Sequence, residues 1–207
     1  MLNTEVEVIF DYMCPGSRAN IAEIGSSDEF PAGESLIDIL NASMVESESD
    51  MHTTQFSRID MTYMDAIKLK LAPFPYFMHP HAHEDDQVLF YLKDLCDKDD
   101  TKCYMNEFMM LSFKSQDLFE EHKNDSTDEF AAWWASVVAA SFDGVIASDI
   151  IAIYGEDDAL NTFDKVEDLF DYGDGLNFVH LPALLINGVL LEGFPDSKQA
   201  WLDTIAS

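Results

Sequence analysis

Positive charge is what this sequence has least of. Eleven Lys and Arg stand against forty Asp and Glu in 207 residues, a formal net charge of −29. A field of that sign repels phosphate backbones and anionic lipid, which argues against nucleic-acid and membrane-surface partners. It suits a solvated acidic surface kept for solubility, weak divalent-cation binding, or a salty working environment. No run of about 18 apolar residues exists, so no segment is expected to span a bilayer. Met1 to Glu7 is too short and too polar to read as a secretory signal. No Gly-rich phosphate loop, Ser nucleophile elbow or paired-carboxylate motif stands out, and Asp97-Lys98-Asp99-Asp100 lacks the Gly and terminal Glu of an EF-hand.

Cysteine is also scarce, and its count is odd: Cys14, Cys96 and Cys103. The last two bracket a short polar stretch, Asp97 to Lys102. A disulfide closing that loop would contribute about 2 to 3 kcal/mol in the chain-entropy model, and it would leave Cys14 as the remaining thiol. In a reducing compartment all three would be thiols. The spacing fits no zinc motif. Asn41-Ala42-Ser43 and Asn124-Asp125-Ser126 are glycosylation sequons, meaningful only if a signal was removed ahead of Met1. In that case the secretory pathway or the cell exterior is expected, and otherwise the cytoplasm.

What is present is ample material for a core, at 47% hydrophobic and 12% aromatic residues. Val6 to Phe10 reads as a strand buried on both faces. It runs into Asp11-Tyr12-Met13-Cys14-Pro15, and Pro15 suits a first helical turn, so a helix is expected from Pro15 to Ile24. Residues 26–60 read as an acidic insertion, with a candidate helix from Glu34 to Met44. Ala66 to Leu71 alternates as a half-wet strand, ended by Pro73 and Pro75. Helical spacing then dominates, over Glu84 to Leu95, Met105 to Glu121, Asp128 to Ser141 with Ser126 or Thr127 as cap, Asp143 to Tyr154, and Asp157 to Phe170. Met109-Met110 and Trp133-Trp134 fall on helical faces as core or groove lining. Ala183 to Ile186 and Val189 to Leu191 flank Asn187-Gly188, a strong hairpin signal. A last amphipathic helix is expected from Asp196 to Ile205. The order implies a mixed sheet covered on both faces.

Two segments resemble the halves of a thioredoxin active site: Phe10-Asp11-Tyr12-Met13-Cys14-Pro15-Gly16-Ser17, and His180-Leu181-Pro182-Ala183-Leu184-Leu185-Ile186-Asn187-Gly188. The helical block resembles that of DsbA-like proteins. Leu71-Ala72-Pro73-Phe74-Pro75-Tyr76 and the Cys-Pro-x-Ser-Arg sequence are similar to a DsbA-like branch common in plants. The resemblance does not extend over Ser26 to Asp60. It implies an α/β, thioredoxin-like mixed sheet, βαβ then ββα, formed by 1–75 and 176–207, with a helical insertion at 76–175. It also implies that Pro182 is cis and lies against Cys14, with Leu181-Pro182 as a platform for an extended substrate. Pro15, Gly16 and Arg18 are the further substrate-binding candidates.

The residues themselves support a reactive thiol. A helix N-terminus favours the thiolate through its macrodipole and its N–H groups; Arg18 can add to this, and Asp11 can oppose it or relay a proton. In dithiol relatives the second cysteine sits where Ser17 stands. A serine hydroxyl can hydrogen-bond a thiolate but cannot resolve a mixed disulfide. Single-thiol chemistry is therefore expected: mixed disulfides, isomerisation, or reduction with glutathione as co-substrate. Thiol- or disulfide-containing proteins or peptides are the expected partners, and no bound cofactor is required. The alternative is a redox-inactive binding protein of the same fold, holding peptide or protein partners. A further expectation is a metal site for zinc or copper on His79, His81 and His83, whose alternation puts three rings on one side if the segment is extended. The rival reading of this segment is a polar loop leading into a helix, with Asp85 and Asp86 satisfying the helix start.

Overall fold

The computed structural model describes residues 4–22, 67–156, 158–195, 200 and 203–204. The acidic insertion with its candidate helix, and most of the closing helix from Asp196 to Ile205, lie outside these residues. Two compact units emerge, a sheet unit of 4–10, 15–22, 67–72 and 178–195, and a helical unit of 11–14, 73–156 and 158–177.

In the sheet unit, β1 (Thr4–Phe10), β2 (Ile67–Pro73), β3 (Ala183–Ile186) and β4 (Val189–Leu190) stand in the order β2-β1-β3-β4. β1 has a neighbour on each side, which suits its nearly continuous apolar run: Val6, Val8, Ile9 and Phe10 are all buried. It pairs antiparallel with β3, from Val6 opposite Ile186 to Ile9 opposite Ala183. β3 turns into β4 through Asn187 and Gly188 at φ 50° and 78°, the left-handed pair that a tight hairpin of this hand demands. The turn is also tied back to β1. Asn187 N donates to the Glu5 carbonyl at 2.8 Å, and Glu5 N donates to Asn187 Oδ1 at 2.9 Å.

The helical unit comprises α2 (Ala82–Lys98), α3 (Met105–Lys114), α4 (Gln116–His122), α5 (Thr127–Ser141), α6 (Ala147–Ala152) and α7 (Thr162–Gly175); α1 (Pro15–Ser17) belongs to the sheet unit. Its core is aromatic, with Phe108, Phe113, Phe119, Phe130 and Trp134 buried. Phe119 meets Trp134 edge-on, with ring centroids 4.7 Å apart. Ser126 opens α5 with a capping box, accepting from Glu129 N while the Glu129 carboxylate accepts from Ser126 N.

In the helical unit, three helices are broken, shortened or delayed relative to the expectation, each for a local reason. The single helix from Met105 to Glu121 breaks at Ser115. An unbroken helix would set Phe113 and Phe119 on faces about 120° apart; the break lets both be buried. The helix expected from Asp143 contracts to α6, because Gly144 sits at φ 70°, outside helical space. The helix expected from Asp157 starts instead at Thr162. Asp158 accepts from Leu160 N and from the Thr162 hydroxyl, holding a turn ahead of the helix, and Asn161 adopts φ 50°.

Candidate active site

β1 delivers the chain into a tight turn, Asp11 to Cys14, at the head of α1 (Pro15–Ser17). Cys14 N donates to the Asp11 carbonyl at 3.1 Å, and Met13 N donates to Asp11 Oδ1 at 2.6 Å. This is the local turn that a short acceptor side chain forms with its own backbone two residues on. Helix α1 then widens into a π-helical turn over Arg18–Ala22. Asn20 Nδ2 donates to the Gly16 carbonyl at 2.8 Å, occupying the acceptor that an α-helix would offer to Asn20 N. Cys14 is half-buried and carries a thiol, whereas Cys96 and Cys103 are joined in a disulfide. Pro15 is exposed, Gly16 and Arg18 are half-buried, and Ser17 is fully buried.

The turn is anchored from within the helical unit. Asp11 is buried, yet its Oδ2 accepts from Tyr76 N at 2.8 Å and lies 2.9 Å from His79 Nδ1. Together with Met13, three groups thus satisfy one buried carboxyl group, the condition under which burial is tolerated. Gln116, at the start of α4, donates through Nε2 to the carbonyls of Tyr12 and Cys14, at 2.5 and 3.1 Å. Tyr12 itself packs into the aromatic core, 5.8 Å from Phe108 and 5.6 Å from Phe113 between ring centroids. The sequence hinted at Asp11 through its position before the cysteine. Tyr76 N and Gln116 gave no sequence signal, since their partners lie 65 and 102 residues away.

Asp85 and Asp86 do not serve the start of α2 as expected. Both are buried, and His81, at φ 63°, precedes the helix as its N-cap. Asp85 Oδ1 accepts from the Ser112 hydroxyl at 3.2 Å, while Asp86 Oδ1 has no hydrogen-bond partner among the described residues. Burial raises both carboxyls well above the ordinary carboxylate range, and the charges of Asp11 and of acidic neighbours push the same way.

The three histidines expected to share a metal ion each have a different partner. His79 turns to Asp11, His81 stacks on Phe130 at 4.0 Å, and His83 lies 3.2 Å from Glu167 Oε1 and against Phe163. The segment is not extended: the left-handed His81 and the start of α2 at Ala82 rotate alternate side chains onto different faces. Among the described residues, no group of three His, Cys, Asp or Glu side chains is placed to hold a metal ion. No helix among them is long and apolar enough to cross a membrane. In the sheet unit, the Leu181–Pro182 peptide is cis, with Pro182 buried immediately ahead of β3.

No protein-family model and no curated protein matches the sequence. Solved structures do match its fold. A proposed protein-disulfide isomerase from Pseudomonas syringae superposes with a TM-score of 0.62 at 14% identity, over 99% of this chain and 94% of that one. The thiol-disulfide oxidoreductase MdbA from Corynebacterium diphtheriae gives 0.55 at 13% identity, over 98% of this chain and 82% of that one. The oxidoreductase DsbA from Xylella fastidiosa gives 0.52 at 13% identity, over 99% and 84%. The chain therefore has the DsbA-like form of the thioredoxin fold, an α/β sheet with a helical insertion between β2 and β3.

Proposed function

We propose that the protein carries out thiol–disulfide exchange on protein or peptide substrates with Cys14 as its single attacking sulfur. The observation that carries this reading is the state of the three cysteines. Cys96 and Cys103 are tied to each other, and Cys14 keeps a half-buried thiol at the head of a helix. Ser17, three positions on, offers a hydroxyl where a dithiol enzyme has its second sulfur. The fold shared with the thiol-disulfide oxidoreductase MdbA and the oxidoreductase DsbA supports the chemistry.

In this reaction the Cys14 thiolate attacks one sulfur of a substrate disulfide. A Cys14 mixed disulfide forms, the substrate S–S bond breaks, and the other sulfur leaves as a thiolate that takes up a proton. Release needs a second thiolate, from an external thiol of the glutathione class or from the substrate itself. It attacks the substrate sulfur of the mixed disulfide and returns Cys14 as thiolate. The first route leaves the substrate as a mixed disulfide with the external thiol, which a second external thiol attacks to give the reduced substrate and the external thiol's own disulfide; in the second route a different cysteine of the substrate takes over the sulfur, and the substrate is isomerised. Leu181, Pro182, Pro15, Gly16 and Arg18 are the residues the resemblance assigns to substrate binding, and Ser17 is the hydroxyl partner of the thiolate. No bound cofactor takes part. A redox-inactive role gains no observation from the site.

Incubation with a model disulfide, followed by mass measurement of the intact protein, tests the reading. A single adduct is expected, absent in Cys14→Ala and removed by glutathione. An unmodified chain under conditions that modify an ordinary exposed thiol would refute it.

A further inference from the structure

A pocket of about 280 Å³ lies wholly within the helical unit, beside the His79 loop. That volume is just below the range of about 300–1,000 Å³ that whole small-molecule sites occupy, so it is sized for one long side chain. Pro75, Tyr76, Phe77 and Phe170 supply apolar and aromatic walls, and Glu84 and Glu167 supply carboxylates. His79, His81 and His83 complete the polar wall, and no Lys or Arg among the described residues lines it. Glu84 Oε1 accepts from the Thr127 hydroxyl at 3.0 Å, and Glu167 Oε1 faces His83 Nε2 at 3.2 Å. The second oxygen of each carboxylate makes no hydrogen bond among the described residues. Phe77 and Met78, 74% and 65% exposed, add apolar surface for whatever flanks an inserted group.

This lining selects by chemistry. An anion would be repelled, and an aliphatic chain would desolvate two carboxylates without pairing them. A guanidinium or ammonium can donate to both carboxylates, lie against ring faces, and bury its methylene stem along the proline and phenyl walls. The chain's overall charge would draw such a group in. The pocket is also coupled to the candidate nucleophile. Its wall residues Tyr76 and His79 are both held by Asp11, whose other carboxylate oxygen and carbonyl hold Met13 N and Cys14 N.

We propose that this pocket receives the Arg or Lys side chain of a polypeptide substrate, directing the chemistry of Cys14 to cystines flanked by basic residues. The pocket's role in catalysis rests on the thiol–disulfide reading; its affinity for a basic side chain does not.

The test titrates cysteine-free fluorescent hexapeptides, identical except for a central Arg or norleucine, into the full chain. The Arg peptide should bind about ten-fold more tightly, the sum of two partly screened ion pairs and one cation–π contact. The preference should largely vanish in Glu84→Gln/Glu167→Gln. It should survive in Glu107→Gln/Glu121→Gln, which removes the same charge from exposed positions outside the pocket. Phe77→Ala, at an exposed site, should weaken the Arg peptide alone. Equal binding of the two peptides, or equal loss in both double variants, would overturn the proposal. A second arm offers Cys14 disulfides flanked by Arg or norleucine. If neither reacts while the Arg preference persists, the thiol reading falls and the pocket stands. If both react at equal rates and the cysteine-free peptides bind alike, the pocket falls alone.

Discussion

Asp11 Oδ2 lies 2.9 Å from His79 Nδ1, and through this contact the turn that presents Cys14 is locked to the loop that leaves β2. The same carboxyl group accepts from Met13 N and Tyr76 N, so one buried side chain sets two loops at once.

Replacing Asp11 should therefore be felt in both. Asn has a donor where one of the carboxylate oxygens accepts, so Asp11→Asn leaves Met13 N or Tyr76 N facing an amide N–H. A loss of about 1 to 3 kcal/mol is expected in urea unfolding. The alkylation rate of Cys14 in the folded state should change as well. An unchanged midpoint and an unchanged rate together would mean the anchoring is not there.

Asp85 and Asp86 predict how stability depends on pH. Their folded-state pKa values are raised by burial, so the folded chain holds protons that the unfolded chain releases above the ordinary carboxylate range. Their contribution is fully present below the unfolded-state pKa and is lost as pH rises toward the raised values. Asp86→Asn should be more stable than the parent by about 1 to 3 kcal/mol near pH 8, with the advantage disappearing near pH 4. Urea titrations of both proteins across that range decide it, and an advantage that grew on acidification would reverse the sign.

Cys96 and Cys103, seven residues apart, bridge the end of α2 to the segment ahead of α3. The Cys96→Ser/Cys103→Ser variant should lose about 2 to 3 kcal/mol of stability. Its adduct formation at Cys14 should continue. If Cys14 then failed to turn over in a folded variant, one of the pair would be acting as a resolving thiol.

Ser17→Cys is a gain-of-function test. A second sulfur three residues after Cys14 should close an internal disulfide and shorten the life of mixed disulfides with substrate. The variant should oxidise a dithiol peptide that the parent cannot oxidise. Persistence of the mixed disulfide at its parental lifetime would show that position 17 cannot reach the adduct.

The fold was legible because its signals are local and repetitive. β1 announces itself by a nearly continuous apolar run, the β3–β4 hairpin by Asn187-Gly188, and α5 by a cap at Ser126 or Thr127. Where helices were misjudged, side chains or backbone geometry overrode periodicity: Asp158 and Asn161 delayed α7, and Ser115 divided what reads as one helix. The alternation of the histidine run is regular in the sequence, but a left-handed residue and a helix start interrupt it, and each ring has a different partner.

By itself the sequence determined the cysteine inventory, the acidic charge, the element order and the residues bordering the candidate nucleophile, because each of these is written in composition or in spacing over a few positions. The tertiary structure alone decided that Asp11 ties Tyr76 and His79 to the Cys14 turn, that Gln116 donates to the Cys14 carbonyl from α4, and that Asp85 and Asp86 are buried. The reason is physical: a hydrogen bond spanning 65 or 102 residues leaves no periodic trace, and a carboxyl group's burial depends on what the rest of the chain packs over it.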